Sequence, residues 1–211
     1  MEFISFLVNG LSLGSIYAII ALGYTMVYGI AKMLNFAHGD IIMVGGYLVF
    51  TCMNSLSLPP VICVLVAMVV CTLLGITIER VAYKPLRGAP SLAVLITAIG
   101  VSYFLQNIAL LIWGSAPKSF NSIVSMEPLR LFDGGLVITG ETLVTIVVSA
   151  VIMVGLWLFV NKTKIGRAML AVSEDRGAAQ LMGINVNATI SITFAVGSAL
   201  AAIAGALMCS A

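Results

Sequence analysis

Charged residues are what this sequence has least of. Only 9% of its 211 residues are Asp, Glu, Lys or Arg, whereas an ordinary soluble domain carries about 25%. A compact soluble domain needs a charged surface toward water, so a chain that is 61% hydrophobic cannot hide its apolar residues in one soluble core. The sequence therefore predicts an integral membrane protein.

Residue types that build chemical sites are also scarce. The only histidine is His38, and the four cysteines, Cys52, Cys63, Cys71 and Cys209, lie in apolar runs without a CxxC pair. This pattern argues against a zinc site and a disulfide framework, and no HExxH motif or nucleophile–base pair points to a membrane enzyme. A net charge of +2 without a basic stripe argues against nucleic-acid binding. We therefore expect no catalytic residue, metal site or cofactor in this chain.

Long apolar runs predict the fold. A membrane-spanning helix takes about 20 apolar residues, and continuous rather than alternating runs indicate helices instead of barrel strands. Six segments qualify: Phe3–Ile30, Ile41–Met53, Pro59–Ile78, Leu92–Trp113, Thr142–Val160 and Ala188–Ala211. The second is short, so it either extends backward through Asn35–Gly39 or is a half-helix entered through a re-entrant loop. The predicted fold is an all-α transmembrane helix bundle, with residues 1–211 forming one transmembrane domain.

Both chain ends lie in apolar runs. The first run exceeds the length of a signal-peptide core and has no basic region before it, which predicts a retained transmembrane helix. The last run reaches Ala211 without a polar tail, which predicts that the chain is incomplete at its C-terminus.

The distribution of Lys and Arg predicts orientation. Eight basic residues follow the first, third and fifth segments, whereas two lie on the opposite side and the acidic residues divide evenly. The eight are Lys32, Arg80, Lys84, Arg87, Lys162, Lys164, Arg167 and Arg176, and the two are Lys118 and Arg130. Because cytoplasmic loops carry the excess of basic residues, we expect the N-terminus outside. The long external loop Gly114–Glu141, with the turn signal Asp133–Gly135, is expected to fold over the outer mouth.

Small residues recur at helical spacing in two segments. Gly10 and Gly14 lie four apart in the first, and Gly197, Ala201 and Gly205 lie four apart in the last. Such faces let helices approach closely in lipid. The spacing predicts helix packing, with a substrate contact as the alternative.

Polar residues also occur inside the predicted spans. Thr97, Ser102, Gln106 and Asn107 lie in the fourth segment, and Tyr17 lies in the first. They either form hydrogen bonds between helices or line a path for a polar or zwitterionic solute. With the boundaries above, no charged residue lies in the middle of a span, which argues against ion-coupled transport.

A polar break separates the first two segments. His38 and Asp40 lie in it, and one histidine with one aspartate does not make a metal site. Asp is a strong N-cap residue, so Asp40 is expected to cap the next helix. The break is interpreted as a structural hairpin, with a cytoplasmic gate as the alternative.

The stretch 173–185 predicts a short helix outside the bilayer. Ser173 is its expected cap, with Glu174 and Asp175 in the first turn, and Gly183 suits a left-handed C-terminal position. An apolar stripe consists of Ala178, Ala179, Leu181 and Met182. A helix of about nine residues, roughly 13 Å long, is marginal in water by itself. It therefore needs a docking surface, which is either a partner protein or the lipid headgroup layer.

Three parts of the sequence together resemble the permease subunits of branched-chain amino-acid ABC transporters. They are Gly10–Tyr24 with Asn35–Asp40, Glu79–Gly88 with Leu95–Ser102, and Gly166–Met169 with Ala171–Asn185. The match covers essentially the whole chain, and the combination is more specific than any one part.

The resemblance implies a subunit of the cell inner membrane that moves substrate and has no catalytic site. It implies a second permease subunit, two ATP-binding cassette subunits that hold ATP and magnesium, and a periplasmic or extracellular solute-binding protein. The short helix then resembles the coupling element with a Glu-Ala-Ala…Gly motif. Its nearest counterparts are Glu174, Ala178, Ala179 and Gly183, joined by Asp175 and Met182, at a spacing that departs from the simplest form of the motif.

The function expected from this resemblance is ATP-driven import of branched-chain amino acids by alternating access. The polar groups of the fourth segment would meet the charged ends of the zwitterion. One alternative is a permease of the same family for urea or a short amide. The other is a passive channel or an ion-coupled carrier, which needs no ATPase.

Overall fold

The computed structural model describes residues 2–118, 129–131 and 136–210. Six helices in this part are long and apolar enough to cross a membrane. They are α1 Glu2–Ala31, α2 Ala37–Leu56, α3 Pro60–Ile78, α4 Ser91–Trp113, α5 Gly140–Lys162 and α8 Val186–Ser210. The predicted all-α transmembrane bundle is confirmed, with helix ends within a few residues of the predicted ones, except that α2 is longer at both ends.

Shorter elements complete the described part. A π-helical turn, Glu79–Tyr83, and a 3-10 turn, Lys84–Leu86, continue α3 so that its candidate span reaches Leu86. Helices α6 Lys164–Glu174 and α7 Arg176–Leu181 lie between α5 and α8.

Two three-residue strands interrupt the long connection between α4 and α5. They are β1 Leu129–Leu131 and β2 Leu136–Ile138, and they pair antiparallel with Leu129 opposite Ile138. The expected turn Asp133–Gly135 and most of the loop predicted to cover the outer mouth lie outside the described residues.

Helix α8 occupies the centre of the bundle, packed against α1, α2 and α3. A β-carbon on Gly197 would lie 2.8 Å from Val27 Cγ2, and one on Gly205 would collide with the Ile42 carbonyl oxygen. Ala201, between them, is fully buried. The small side chains of α8 thus let the backbones of three helices come close, which favours packing where no hydrophobic force operates between helices.

Gly10 and Gly14 do not have this role within the described part of the chain. Nothing lies within 4 Å of a β-carbon built on either residue, and both are exposed. Helix α1 instead buries the face that carries Ile16, Ile19 and Val27. The predicted small-residue face of α1 therefore makes no close helix contact here, because α8 and α5 cover its other side.

The two sets of glycines give a matched pair of stability predictions. We expect Gly205→Ala to destabilise the bundle by about 1–3 kcal/mol, because its β-carbon meets α2 backbone that cannot move aside. Gly14→Ala should leave stability unchanged or slightly raised, since the new methyl meets open space and Ala favours helix. Unfolding titrations of the purified variants in mixed micelles measure both. Equal losses for the two variants would contradict the packing described for α8.

Helix α2 begins inside the bundle rather than at its edge. A β-carbon on Gly23 of α1 would lie 3.0 Å from His38 Cε1, and α1 runs on from Gly23 to Ala31, about 12 Å at roughly 1.5 Å per residue. The connection from Lys32 to Phe36 therefore turns back between helices, and its Asn35 side chain accepts a hydrogen bond from the Tyr83 hydroxyl at 3.0 Å. Non-helical backbone at this depth is tolerated because protein surrounds it. The predicted backward extension is confirmed, because α2 runs for 20 residues from Ala37 to Leu56. The half-helix alternative is wrong, although the connection that leads into α2 turns back between helices.

Two acidic side chains that the predicted segment bounds left outside lie within the spans as the structure has them. Asp40 is 6% exposed within the span Ala37–Leu56, and Glu79 is fully buried within the span Pro60–Leu86. The sequence boundaries had ended one residue short of each carboxylate. The expected capping role of Asp40 is also wrong, because Phe36 occupies the N-cap position and Asp40 lies in the first turn.

Candidate functional site

One end of the bundle gathers the eight basic residues that follow α1, α3 and α5, and we call it the basic end. Helix α7 lies there, held between α6 and α8. Helix α6 anchors this region because its Met169 and Val172 are buried. The sequence prediction missed α6, although apolar residues spaced three and four apart at Ile165, Met169 and Val172 are typical of an amphipathic helix.

The predicted short helix starts two residues later than expected. Asp175, in an extended conformation, is the N-cap, and its Oδ1 accepts from the amides of Gly177 at 2.7 Å and Ala178 at 3.0 Å. Ser173 instead donates to the Leu170 carbonyl within α6, and Glu174 is the last residue of that helix. The correction follows from α6, whose hydrogen bonds already use the Ser173 backbone, so the first free amides belong to the next residues.

The other end of α7 follows the prediction. Gly183 has a φ of +82°, and its amide donates to the Gln180 carbonyl at 3.0 Å. The Ile184 amide donates to the Ala179 carbonyl at 3.0 Å. This pair of bonds is the Schellman arrangement, which ends a helix where glycine adopts the left-handed conformation at little cost.

The apolar residues of α7 divide between two faces. Ala179 is 4% exposed and packs toward the bundle. Leu181 and Met182 are 90% and 82% exposed, and Ala178 is exposed beside them. We call Ala178, Leu181 and Met182 the apolar tip. Ala179 is thus unavailable at this surface, so a contact with a partner would fall to the apolar tip.

Arg176, the first residue of α7, joins the short helix to α1. Its guanidinium donates to the carbonyl oxygen of Ala31 and, at 3.5 Å, to that of Ile30. These are the last carbonyls of α1, where the helix dipole favours a cation. Burial, followed by repulsion from Arg87, lowers the pKa of Arg176 below its ordinary value. A displacement of α7 would therefore pull directly on the end of α1.

A second link ties α3, the α3–α4 turn and the start of α8 together. Fully buried Glu79 forms an ion pair with Arg87 and accepts a hydrogen bond from Ser191 Oγ at 2.7 Å. Arg87 also donates to the side-chain oxygen of Asn187. Both carboxylate oxygens are thus satisfied, as a buried charge requires. The sequence prediction placed Glu79 in a cytoplasmic loop and so missed this cluster.

The polar residues of α4 are only partly grouped. Gln106 Nε2 donates to Asp40 Oδ1 at 3.0 Å and to Ser102 Oγ at 3.2 Å, which joins α4 to the first turn of α2. Asn107 instead donates to the carbonyl of Tyr103 in its own helix, at 2.7 Å. Thr97 is half-buried on the same helix.

Tyr17 lies elsewhere. It is exposed on α1, which packs mainly against α8 and α5, whereas α4 packs against α2 and the π-helical turn. Within the described residues, the structure therefore groups Ser102 and Gln106 with Asp40 and not with Tyr17. The residue that the sequence prediction missed is Asp40, and its signal was an acidic residue directly before an apolar run.

Across residues 2–118, 129–131 and 136–210, no group of three or more His, Cys, Asp or Glu side chains is arranged to hold a metal ion.

Comparison with known proteins bears on the whole chain. Residues 6–211 match the family model of the branched-chain amino acid transport system permease component. The high-affinity branched-chain amino acid transport system permease protein BraD of Pseudomonas aeruginosa is 42% identical, over 96% of this chain and 69% of that protein. LivH of Escherichia coli K12, with the same descriptive name, is 40% identical, over 99% of this chain and 71% of that protein.

A more distant relative is the ribose import permease protein RbsC of Haemophilus influenzae, 28% identical over 97% of this chain and 60% of that protein. No solved structure gives a significant match. The family model and the identities of 40% and above agree with each other and with the six apolar helices of the bundle. This chain therefore belongs to the family of permease components of branched-chain amino acid transport systems and is a multi-pass membrane transport protein.

Proposed function

We propose that this chain is the membrane-spanning subunit of an ATP-driven importer that moves branched-chain amino acids by alternating access. The observation that carries the proposal is the apolar tip of α7. Leu181 and Met182 are 90% and 82% exposed on a helix whose other face is packed on the bundle. An apolar surface at the end of a short, capped helix fits a groove on a partner protein better than it fits water.

The partner is an ATP-binding cassette subunit, which binds ATP and magnesium and hydrolyses the nucleotide. A second permease subunit completes the membrane part, and a periplasmic or extracellular binding protein delivers the solute. The basic end faces the cytoplasm because positively charged loops are retained there, which places the N-terminus outside. The names of BraD and LivH support the substrate class, since both are branched-chain amino acid permeases.

Movement of the ATPase would displace α7, and two sets of contacts would transmit that displacement to the spanning helices. Arg176 transmits a displacement of α7 to the end of α1. The Glu79 cluster connects the start of α8 with α3 and the α3–α4 turn. Because α8 packs against α1, α2 and α3, a tilt of α8 changes the spacing of all three. The access change is therefore a rigid-body movement of helices rather than a local rearrangement.

The substrate is tested by uptake into cells that lack their own leucine transport. The full-length permease is expressed with its second permease, ATPases and binding protein, and radiolabelled leucine is competed with isoleucine, valine, urea and acetamide. We expect competition by isoleucine and valine and none by urea or acetamide. Uptake of labelled urea or acetamide with no uptake of leucine would contradict the proposal and favour the alternative within the family.

A further inference from the structure

Asp40 is a buried acid, and only one of its two carboxylate oxygens has a hydrogen-bond partner among the described residues. The side chain is 6% exposed in the first turn of α2, two residues after His38, whose ring lies against Gly23 of α1. Its Oδ1 accepts from Gln106, but its Oδ2 has no hydrogen-bond partner among the residues that the structure describes. The one ion pair in that part of the chain is Arg87–Glu79, so no cationic side chain neutralises Asp40.

This arrangement differs from that of the other buried acid in the spans. Glu79 is matched by a guanidinium on one oxygen and a hydroxyl on the other. A buried carboxylate with half of its acceptors empty is costly, and intramembrane acids usually serve a solute or ion path. A hydrogen-bond donor would satisfy Oδ2, and a cationic donor would also compensate the charge.

A chain of hydrogen bonds joins the buried carboxylate of Asp40 to the exposed face of α4. Gln106 is exposed on α4 and Ser102 is half-buried one turn before it. Their side chains form a continuous polar row that ends on Asp40.

We propose that Asp40 recognises the ammonium group of the transported amino acid, with Gln106 and Ser102 guiding the solute to it. The inference rests on the proposed function, since a zwitterionic amino acid carries the ammonium that the free oxygen requires. Gln106 is a positioning residue in this scheme, because its amide holds Oδ1 and leaves Oδ2 open. The apolar side chain of the solute is left to the surrounding apolar surfaces.

The test uses the full-length complex in proteoliposomes. Leucine-loaded binding protein is added on the side of the membrane that the outer face of the permease meets, and ATP is supplied on the side of the ATPases. Asp40→Asn keeps the size of the side chain and its bond from Gln106 but removes the charge. We expect its leucine uptake to fall about tenfold, the loss of one charge-assisted hydrogen bond, while loaded binding protein still stimulates ATP hydrolysis. Asp40→Glu should recover most of the uptake because it restores a carboxylate.

Asn161→Ala is the matched control, since the Asn161 amide serves its own helix by donating to the Trp157 carbonyl at 2.9 Å, and its uptake should equal that of the unaltered chain. Equal uptake by Asp40→Asn and the unaltered chain at every leucine concentration would overturn the inference alone. Loss of uptake and of stimulated ATP hydrolysis together, in both Asp40 variants, would assign Asp40 a structural role and overturn it too. An unaltered complex that moves no leucine would overturn the proposed function and this inference with it.

Discussion

Replacing Leu181 and Met182 with aspartate should release the ATPase subunits while the permease stays folded. The two side chains are almost fully exposed, so the bundle loses no packing when they change. In a partner's groove they would be desolvated, and truncating an apolar anchor of that kind costs at least about tenfold in affinity, while a buried charge costs more. We expect the double variant to co-purify with little or no ATPase and to give no ATP-driven uptake.

A matched control keeps the surface apolar and only interchanges its two large side chains. The exchange Leu181→Met with Met182→Leu preserves volume and hydrophobicity on the same turn, so it should retain most of the ATPase. Recovery of ATPase with the aspartate variant at the level of the unaltered chain would contradict docking through the apolar tip. Equal thermal unfolding temperatures for the purified variants and the unaltered chain would show that a loss of ATPase binding does not come from a loss of fold.

Replacing Glu79 with alanine should be the most destabilising single change in the bundle. It leaves Arg87 without its carboxylate and Ser191 without its acceptor, at the junction of α3, the α3–α4 turn and α8. Breaking a buried ion pair by removing one partner costs about 3–5 kcal/mol. Because Arg87 retains some exposure to water, we expect a loss near 3 kcal/mol.

The neighbouring residue gives the control for this prediction. Arg80 is exposed on the next position of the π-helical turn, so Arg80→Ala should change the free energy of unfolding by no more than about 0.5 kcal/mol. The double variant Glu79→Ala with Arg87→Ala should lose less than the sum of the single losses, since the first change already removes the interaction. Additive losses would show that Glu79 and Arg87 act independently.

The spanning helices were predictable because lipid imposes a rule on each segment separately. Any run of about 20 apolar residues must satisfy its own backbone hydrogen bonds, and only a helix does so within one segment. The basic end was predictable for a similar reason, since a count of Lys and Arg needs no knowledge of neighbours. Gly183 belongs to the same class, because a left-handed position after a helix is a local requirement.

What sequence reasoning could not supply depends on neighbours far along the chain. Asp40 was expected to cap a helix and Glu79 to lie in a loop, whereas both lie in helical turns within a span. Their partners Gln106 and Ser191 are 66 and 112 residues away along the chain. Helix α7 begins two residues later than predicted because α6 precedes it and ends at Glu174. A charged residue at the edge of an apolar run is therefore better assigned by what could pair with it than by where the apolar run stops.

The most direct test of the account is ATP-driven leucine uptake by the purified complex in proteoliposomes, measured with and without an ion gradient. We expect accumulation of leucine that requires ATP hydrolysis, ceases with a non-hydrolysable ATP analogue, and is unchanged when ionophores collapse every gradient. The Leu181→Asp, Met182→Asp variant should accumulate none. Accumulation driven by a proton or sodium gradient without ATP would contradict the account and make this chain an ion-coupled carrier.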